Sequence, residues 1–322
     1  MIGDMKMKRI KEIFIGLIMA LALLTTSQTL YATDEVCEFL ENSSSAKAVS
    51  LGNSLAAVNK DLDSISSNPA GLAGLKRTAM QITAYSAFES DTKTVFAAVP
   101  LKGFTLGAGY TSTGMTGIYF TDKNSATDRA IEVGSQFSYI GEALLLGIGY
   151  ELTSEISLGL TGKVMREKLK DSEASGLALD AGVAFNTEDL IYGLTLKNLI
   201  KPSNKWNTPS GITEYAEPEV LLGLAINIVK DITFSEGCKI KNKRPVTYQT
   251  GIEFKLVEVL PLRFGYEIEA DQIKIMGEKL QTLEGLSIGT GLNLDPFSFD
   301  ISWKSLPADQ SSMFRMTLKV SI

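Results

Sequence analysis

The sequence predicts an all-β protein, specifically a 14-stranded antiparallel transmembrane β-barrel with an N-terminal hatch segment. The first observation is the strict alternation of apolar and polar residues in segments such as 175–186, 261–269 and 312–322, which is typical of strands with one apolar and one polar face. The second is the length of these segments, close to the roughly 9–11 residues of a membrane-crossing strand. The third is a polar face rich in Gly, Ser, Thr and charges, which suits a polar lumen. A soluble β-sandwich, with the apolar faces of two sheets packed together, is the alternative.

Residues 1–32 are predicted to be a secretory signal peptide. Four basic residues precede an uncharged apolar run from Ile13 to Leu24, and Ala32 supplies the small residue of a cleavage site. This run is shorter than the roughly 20 residues of a membrane-spanning helix, and a short N-terminal membrane anchor is the alternative. Export combined with a barrel predicts the cell outer membrane as the location, with outer-membrane lipid as a partner.

The spacing of apolar runs predicts 14 strands. The runs are 79–88, 93–100, 104–112, 143–151, 155–168, 175–186, 190–199, 218–229, 231–242, 246–257, 261–269, 284–294, 297–305 and 312–322. Short turns alternate with mostly longer connections along this series, as they do between the two ends of an outer-membrane barrel. A fifteenth run, 131–139, would break the alternation. It is therefore assigned to the external connection 113–142, where it would extend the flanking strands.

The segment 33–77 between the signal peptide and the barrel (78–322) is predicted to be a hatch. Its core, residues 46–76, reads AKAVSLGNSLAAVNKDLDSISSNPAGLAGLK. The apolar positions fit short helical pieces, and Asn68-Pro69 is a turn signal. A linker into the first strand is the plain alternative. A segment of this length is more naturally accommodated in the lumen or across one mouth of the barrel.

This segment also carries a family resemblance. The residues that carry it are Leu51, Gly52, Ala56 and the hatch motif Asn68, Pro69, Ala70, Gly71, Leu72 and Ala73. Followed by amphipathic strands, they resemble the FadL-like outer-membrane barrels, and most closely the PorV/PorQ group and related uncharacterised spirochaetal proteins. The resemblance implies a 14-stranded barrel with an N-terminal hatch, in agreement with the strand count. The C-terminal Ile322 departs from the aromatic residue with which such barrels usually end.

Two functions follow from the resemblance. FadL-type members bind or pass fatty acids and other hydrophobic small molecules, which predicts an apolar pocket beside the hatch and a kink or gap in the wall. PorV-type members bind cargo or partner proteins of a secretion system, which predicts ordered external loops with an exposed apolar patch. The segments 113–142 and 200–217, with Ile118-Tyr119-Phe120 and Trp206, are the candidates for that patch. A purely structural surface protein is a third possibility.

Eight charged residues on the polar faces are candidates for the lumen lining. They are Glu253, Lys255, Arg263, Glu267, Glu269, Asp300, Arg315 and Lys319. The favoured interpretation is a network of ion pairs that holds the hatch. A lining that selects a substrate is the first alternative, and a catalytic pair of carboxylates is the least favoured one.

Composition argues against several other functions. The chain contains no His, so a nucleophilic Ser or Cys has no imidazole base, and we predict that the protein is not an enzyme and has no catalytic residue. Two Cys and no His also predict no metal site and no cofactor. A net charge of −6 predicts no nucleic-acid partner.

Two further features concern Cys and Gly. Cys37 and Cys238 are the only thiols, and outside the cytoplasm they are a possible disulfide. Several glycines lie on polar faces, where they would leave room for a hatch or allow strong strand curvature. These glycines are Gly147, Gly149, Gly285, Gly289 and Gly291.

Overall fold

The computed structural model describes residues 38–42, 44–57, 59–87, 89–124, 129–200, 203–208, 211, 213–242, 244–272, 283–306 and 312–322. The strands are β1 (Ala79–Ala87), β2 (Ser90–Pro100), β3 (Phe104–Asn124), β4 (Arg129–Glu151), β5 (Ile156–Leu169), β6 (Ser172–Asn186), β7 (Leu190–Lys197), β8 (Ser203–Trp206), β9 (Thr213–Tyr215), β10 (Glu219–Val229), β11 (Ile232–Lys241), β12 (Thr247–Val257), β13 (Leu260–Glu269), β14 (Leu286–Leu294), β15 (Phe297–Lys304) and β16 (Met313–Ser321). The helix α1 (Ala46–Ser50) and 3-10 helices at Glu38–Asn42, Leu62–Ile65 and Pro69–Gly74 precede them.

Fourteen of these strands form a closed antiparallel barrel. Strands β1–β7 and β10–β16 each pair with their neighbours, and β1 pairs with β16 from Ala79↔Ser321 to Ser86↔Phe314. The short hairpin β8–β9 is attached to the upper part of β6. The predicted 14-stranded all-β barrel is therefore confirmed. Because the sheet closes on itself, its main-chain hydrogen bonds are satisfied from strand to strand, as a membrane requires.

The two ends of the barrel differ. At one end, here called the short-turn end, brief turns such as 101–103, 230–231 and 295–296 join the strands, and the first and last barrel strands meet where Ile322 N donates to Thr78 O (2.8 Å). The other, the long-loop end, carries most of the longer connections, including the β8–β9 hairpin.

The predicted external connection 113–142 is mostly strand. Segment 131–139 belongs to β4, which pairs with an extension of β3 as far as Asn124↔Arg129. The alternation is broken by register shifts near Met115 and Tyr119 and by Gly117 and Gly134, whose φ angles are 77° and 79°. These irregularities explain why the apolar pattern marked this segment as a loop with strand extensions rather than as a tall hairpin.

The two faces of the barrel follow the sequence alternation. Outward side chains are large and apolar, for example Leu146 and Phe314, which are 60% and 67% exposed. Inward side chains are small or polar, for example Thr161 and Thr195, which are fully buried. An apolar outer band around a polar interior is the pattern of a transmembrane barrel. Among the described residues, no helix is long and apolar enough to cross a membrane.

The described residues of the hatch, 38–77, lie inside the barrel. Their route starts near Gly141 and Lys239 in the upper half of the wall and passes down to Gly149 and Gly159, close to the short-turn end. The chain then leaves the lumen to enter β1. The predicted signal peptide and residues 33–37, including Cys37, lie outside the described residues.

Candidate functional site

The hatch motif is a helix cap that also ties the hatch to the wall. Asn68 precedes the 3-10 helix Pro69–Gly74, and its side-chain oxygen accepts from Ala70 N, while Pro69 occupies the first helical position, where a missing N–H costs nothing. The side-chain amide donates to Ala56 O (2.7 Å) and to Val183 O of β6 (3.2 Å). One buried Asn therefore fixes a helix start, a second stretch of the hatch and a barrel strand.

Glycines on the inner wall give the hatch its space. The wall glycines at which a Cβ would press on or overlap hatch atoms are Gly107, Gly141, Gly147, Gly149, Gly159, Gly182, Gly193, Gly223, Gly251, Gly265 and Gly289. At Gly251, for example, a Cβ would lie 2.6 Å from the Leu51 carbonyl oxygen. Main chain of the hatch thus lies directly against main chain of β4, β5, β7, β10, β12 and β13. Of the other predicted glycines, Gly291 makes room for the Asp300 carboxylate, and Gly285 lies in a turn with φ of 80°.

One half of the hatch packs into an apolar core. Leu62, Ile65 and Leu72 are fully buried against wall residues that include Phe96 and Leu145. Strands β1, β2, β4, β5 and β6 supply the buried wall residues of this core, and Gly107 of β3 lies against Ile65 and Leu72. Burial of three such side chains is worth roughly 1.5–3 kcal/mol each. The hatch therefore has a hydrophobic core of its own within a polar barrel.

Two buried aspartates form a polar clamp in the hatch. The Asp61 carboxylate pairs with Lys47 Nζ at 2.9 Å and with Lys319 Nζ of β16 at 3.9 Å. Burial alone would raise the pKa of Asp61, but Lys319 and Lys47 outweigh it and hold this pKa below its usual range. Asp63 accepts from Ser45 N (3.0 Å), from Ser45 Oγ and from Gln81 Nε2 of β1 (2.9 Å). Burial, reinforced by the Asp61 charge, raises the pKa of Asp63 to about 6.

Arg315 crosses from β16 into the hatch. It is 1% exposed and donates to the Ser44 carbonyl oxygen (2.5 Å) and hydroxyl (3.3 Å). Its guanidinium lies 3.8 Å from the ring centroid of Tyr85. Beside it, Ala46 N donates to Thr317 Oγ1 at 2.9 Å. The start of α1 is therefore fastened to β16 by a buried cation and a hydroxyl.

Two ion-pair groups lie on the wall next to β13. Arg263 is 3% exposed and contacts Glu253 and Asp300, each at 2.6 Å. Glu267 pairs with Lys304 and accepts from Asn53 Nδ2 of the hatch at 2.9 Å. The second group has a hydrogen bond to the hatch. The Arg263 group joins β12, β13 and β15 to one another, and the charge of Lys47 in the hatch acts on Glu253.

The long-loop mouth carries a third group. Glu41 of the hatch pairs with Lys239 (3.2 Å) and Lys241 of β11, and Lys241 also lies 3.6 Å from Glu219. Glu269 lines the same mouth, in a cavity of about 160 Å³ with Lys239, Lys241 and Arg244. Lys255 lies at the opposite end of β12 and is exposed. The eight candidate residues are thus spread over the clamp, the wall and both mouths.

The described spaces beside the hatch are small and charged. A cavity of about 60 Å³ lies between the hatch and strands β7 and β10–β13, with Lys197, Glu219 and Glu267 in its lining. A neighbouring cavity of about 40 Å³ is lined by Glu41 and Lys163 among others. Apolar side chains such as Leu40, Leu55 and Leu221 share the lining of the first of these cavities with the charged residues. A mainly apolar pocket beside the hatch therefore stays a prediction.

The largest described cavity lies on the outer wall instead. Leu224, Glu236 and Thr250 are directly opposed across β10–β12 and share one face. Gly223, the residue before Leu224, faces inward, since a Cβ there would lie 2.6 Å from Ala57 N. Because successive residues of a strand face opposite sides, Leu224, Glu236 and Thr250 point outward. A cavity of about 280 Å³, here called the outer cavity, opens on this face and is lined mainly by apolar side chains. Its lining includes Leu222, Leu224, Cys238, Ile240, Val246 and Tyr248, together with Glu236 and the paired Gly223 and Gly237.

Four acidic residues that matter here are not among the candidates that the sequence alone indicates. Asp61, Asp63 and Glu41 lie in the segment before the first strand, where a polar residue gives no periodic signal. Glu236 was detectable, since it interrupts an apolar outward series that includes Phe234, Cys238 and Ile240. Cys238 lies on the outer face and forms no disulfide with any described residue, whereas Cys37, its possible partner, lies outside the described residues. Within the described ranges, no group of three or more His, Cys, Asp or Glu side chains is placed to hold a metal.

Comparison with known proteins identifies the fold. No protein-family model and no curated protein matches the chain in sequence. Among solved structures, the toluene transporter TbuX of Ralstonia pickettii matches with a TM-score of 0.65 at 10% identity, over 87% of this chain and 98% of TbuX. The toluene transporter TodX of Pseudomonas putida matches with 0.60 at 12% identity, over 92% and 99%. A FadL homologue of Pseudomonas aeruginosa matches with 0.58 at 10% identity, over 91% and 99%. The chain shares the barrel fold of these proteins.

Proposed function

We propose that this protein is an outer-membrane barrel that binds hydrophobic small molecules and passes them across the membrane. The shared fold with toluene transporters and a FadL homologue supports this class of function. Those neighbours are transport proteins, which also favours a role other than catalysis. The predicted signal peptide and the apolar outer band support the outer membrane as the location.

The outer cavity is the observation that carries the proposal. Its volume of about 280 Å³ exceeds the roughly 150 Å³ that suffices to bind benzene in a protein core. It opens on the face that meets the lipid, where hydrophobic molecules concentrate. Behind it, the paired Gly223 and Gly237 carry no side chain, so little more than main chain separates the cavity from hatch residues 54–57.

A water-filled pore of the porin type fits the geometry less well. The hatch occupies the described lumen with a buried apolar core and with clamps such as Asp61–Lys47. The remaining described spaces beside it are about 40–160 Å³ and charged. A hydrophobic ligand is favoured at the wall, where the lining matches its chemistry. We include fatty acids among the candidate ligands, in line with the family resemblance.

The test is mass spectrometry of molecules that co-purify with the protein from its own outer membrane in mild detergent. We expect apolar molecules in near-stoichiometric amounts with the wild type. Leu224→Trp, which fills the outer cavity, should remove them. Leu160→Trp is the matched control, because Leu160 is 47% exposed on the outer face of β5, away from the cavity. Equal amounts on all three proteins and on an unrelated barrel would refute the proposal.

A second candidate, a PorV-like secretion component that binds partner proteins, is favoured by the tall β3–β4 hairpin. Tyr119 on this hairpin is 46% exposed, and the rings of Phe120 and Phe137 lie 4.8 Å apart. Trp206 is half-buried on β8, which pairs with β6, and its indole N–H donates to Glu214 (2.7 Å). A defined protein partner that co-purifies without an apolar ligand, and that is lost on Tyr119→Ser, would favour this candidate.

A further inference from the structure

An acidic residue sits in the apolar outer band. Glu236 is the fifth residue of the ten-residue strand β11, and it shares the outward face with Leu224 and Thr250. Along its own strand, the outward neighbours are Phe234 below and Cys238 above. A carboxyl group at this depth is unfavourable unless its oxygens have hydrogen-bond donors. The carboxyl group of Glu236 therefore needs hydrogen-bond donors close to it.

Only part of that requirement is met by the protein. Thr250 Oγ1 donates to Glu236 Oε1 at 2.8 Å. Within the part of the chain that the structure describes, no other hydrogen bond to this carboxyl is found. The group also lines the outer cavity, whose other lining residues are apolar apart from Cys238 and the hydroxyl of Tyr248. A carboxyl oxygen is therefore available to whatever occupies the cavity.

A second acidic residue on the outer face, Glu142, has different surroundings from Glu236. Glu142 on β4 accepts from the Tyr110 hydroxyl at 2.5 Å. Its directly opposed neighbour across the sheet on β5 is Arg166, so it lies in a polar row. No described cavity is lined by Glu142. Glu236, by contrast, has one hydroxyl partner, apolar neighbours and a cavity.

We propose that the outer cavity selects small, mainly apolar molecules that carry one hydrogen-bond donor, such as a phenol or an alcohol, and that Glu236 accepts that hydrogen bond. The apolar lining takes the hydrocarbon body of the ligand. Thr250 orients the carboxyl by holding Oε1 and leaves the other oxygen to the ligand. This inference rests on the proposed function and adds the ligand class and the residue that sets it.

The test compares a matched pair of ligands, 4-ethylphenol and ethylbenzene, by equilibrium dialysis against the full-length protein in lipid nanodiscs. Binding to empty nanodiscs is subtracted. The ratio of the two affinities, 4-ethylphenol over ethylbenzene, should be about tenfold larger for the wild type than for Glu236→Leu. That factor is the size of one good hydrogen bond to a carboxyl in an apolar site. Glu236→Gln, which keeps one acceptor oxygen, should restore part of the preference.

The outcomes separate the inference from the proposed function. If wild type and Glu236→Leu show the same ratio while both bind ethylbenzene, the role of Glu236 is wrong and hydrophobic binding stands. If neither ligand binds the wild type above empty nanodiscs, the proposed function fails and the inference with it. The folding control for Glu236→Leu is its circular dichroism spectrum in nanodiscs, which should match that of the wild type. Leu224→Trp should abolish binding of both ligands, and retained binding would place the site elsewhere.

Discussion

Different interactions hold the two sides of the hatch against the barrel wall: apolar packing on one side and polar contacts on the other. Towards β1–β6, Leu62, Ile65 and Leu72 pack into a fully buried apolar core. Towards β10–β13, the hatch meets the wall through polar contacts such as Asn53–Glu267, beside small charged cavities. The close-packed apolar core leaves no room for the hatch to move, whereas long charged side chains can exchange ion-pair partners at a modest cost in free energy. The difference marks the β10–β13 side as the side on which a conformational response to a ligand is easiest.

The outer cavity lies on this same adaptable side. Its floor includes Gly223 and Gly237, and hatch residues Ala56 and Ala57 lie directly behind Gly223. A ligand in the wall and a movable part of the hatch are thus separated by main chain only. The opposite wall has no described cavity on its outer face. The predictions below perturb the two sides in turn.

The largest effect is expected from crowding the tightly packed side. In Gly159→Val, the new side chain would overlap the backbone of Pro69 and Ala70, so the hatch must shift. We expect a loss on the order of 5 kcal/mol in the free energy of unfolding, in the rare severe class of point substitutions. Urea titration in lipid vesicles measures it, and planar-bilayer conductance should rise as the hatch is displaced.

Gly162→Val on the same strand is the matched control. A Cβ at Gly162 meets no atom within 4 Å, so the change in stability should stay within about 0.5 kcal/mol. Equal effects of the two substitutions would show that strand glycine itself, rather than contact with the hatch, determines the result.

A smaller loss is expected from an unpaired charge on the adaptable side. Arg263→Met removes the buried cation that both Glu253 and Asp300 contact, and leaves Asp300 without this ion pair. Removing one partner of a buried ion pair costs on the order of 4 kcal/mol. The triple substitution Arg263→Met, Glu253→Gln, Asp300→Asn removes all the charges and should recover most of that stability in the same urea titration. A triple variant as unstable as the single one would contradict the ion-pair explanation.

The barrel was readable from sequence, but much of the hatch chemistry was not. Period-two alternation specifies faces residue by residue, so the strands and the inward position of Arg263 and Arg315 followed directly. The partners of Asp61 depend on how a linker folds inside a closed lumen. Lys47 is nearby in sequence, but Lys319 lies at the far end of the chain. No local pattern predicts such a contact, because it arises only when the first and last strands pair.

The pH dependence of the hatch provides a third comparison. The pKa of Asp63 rises from 3.8 to about 6 in the folded protein, so between about pH 4 and 6 the folded state holds this proton more firmly than the unfolded state. The free energy of unfolding should therefore fall as pH rises through this window, by about 3 kcal/mol in all. Hydrogen exchange of segment 44–57, corrected for intrinsic rates, should show faster opening at pH 7 than at pH 5.

Asp63→Asn tests the assignment of this effect. The amide keeps one carbonyl oxygen for Ser45 N and Gln81 but cannot ionise. We expect its exchange rates to be nearly independent of pH over the same window, although neighbouring Asp61, Lys47 and Arg315 are unchanged. A variant that kept the full pH slope would assign the titration to one of those neighbours.

The smallest effect is expected at the long-loop mouth, where the adaptable side begins. Glu41→Gln weakens the pairing with Lys239 and Lys241, and about 1 kcal/mol of local stability should be lost because the site is partly open to solvent. We expect faster hydrogen exchange at residues 38–42 with no change at residues 62–75, which are held by the apolar core. High salt should reduce the difference between the variant and the wild type, since screening weakens the same ion pairs. If both segments loosened together, the two sides of the hatch would be one cooperative unit, and a ligand at the outer wall would have to disturb the entire hatch.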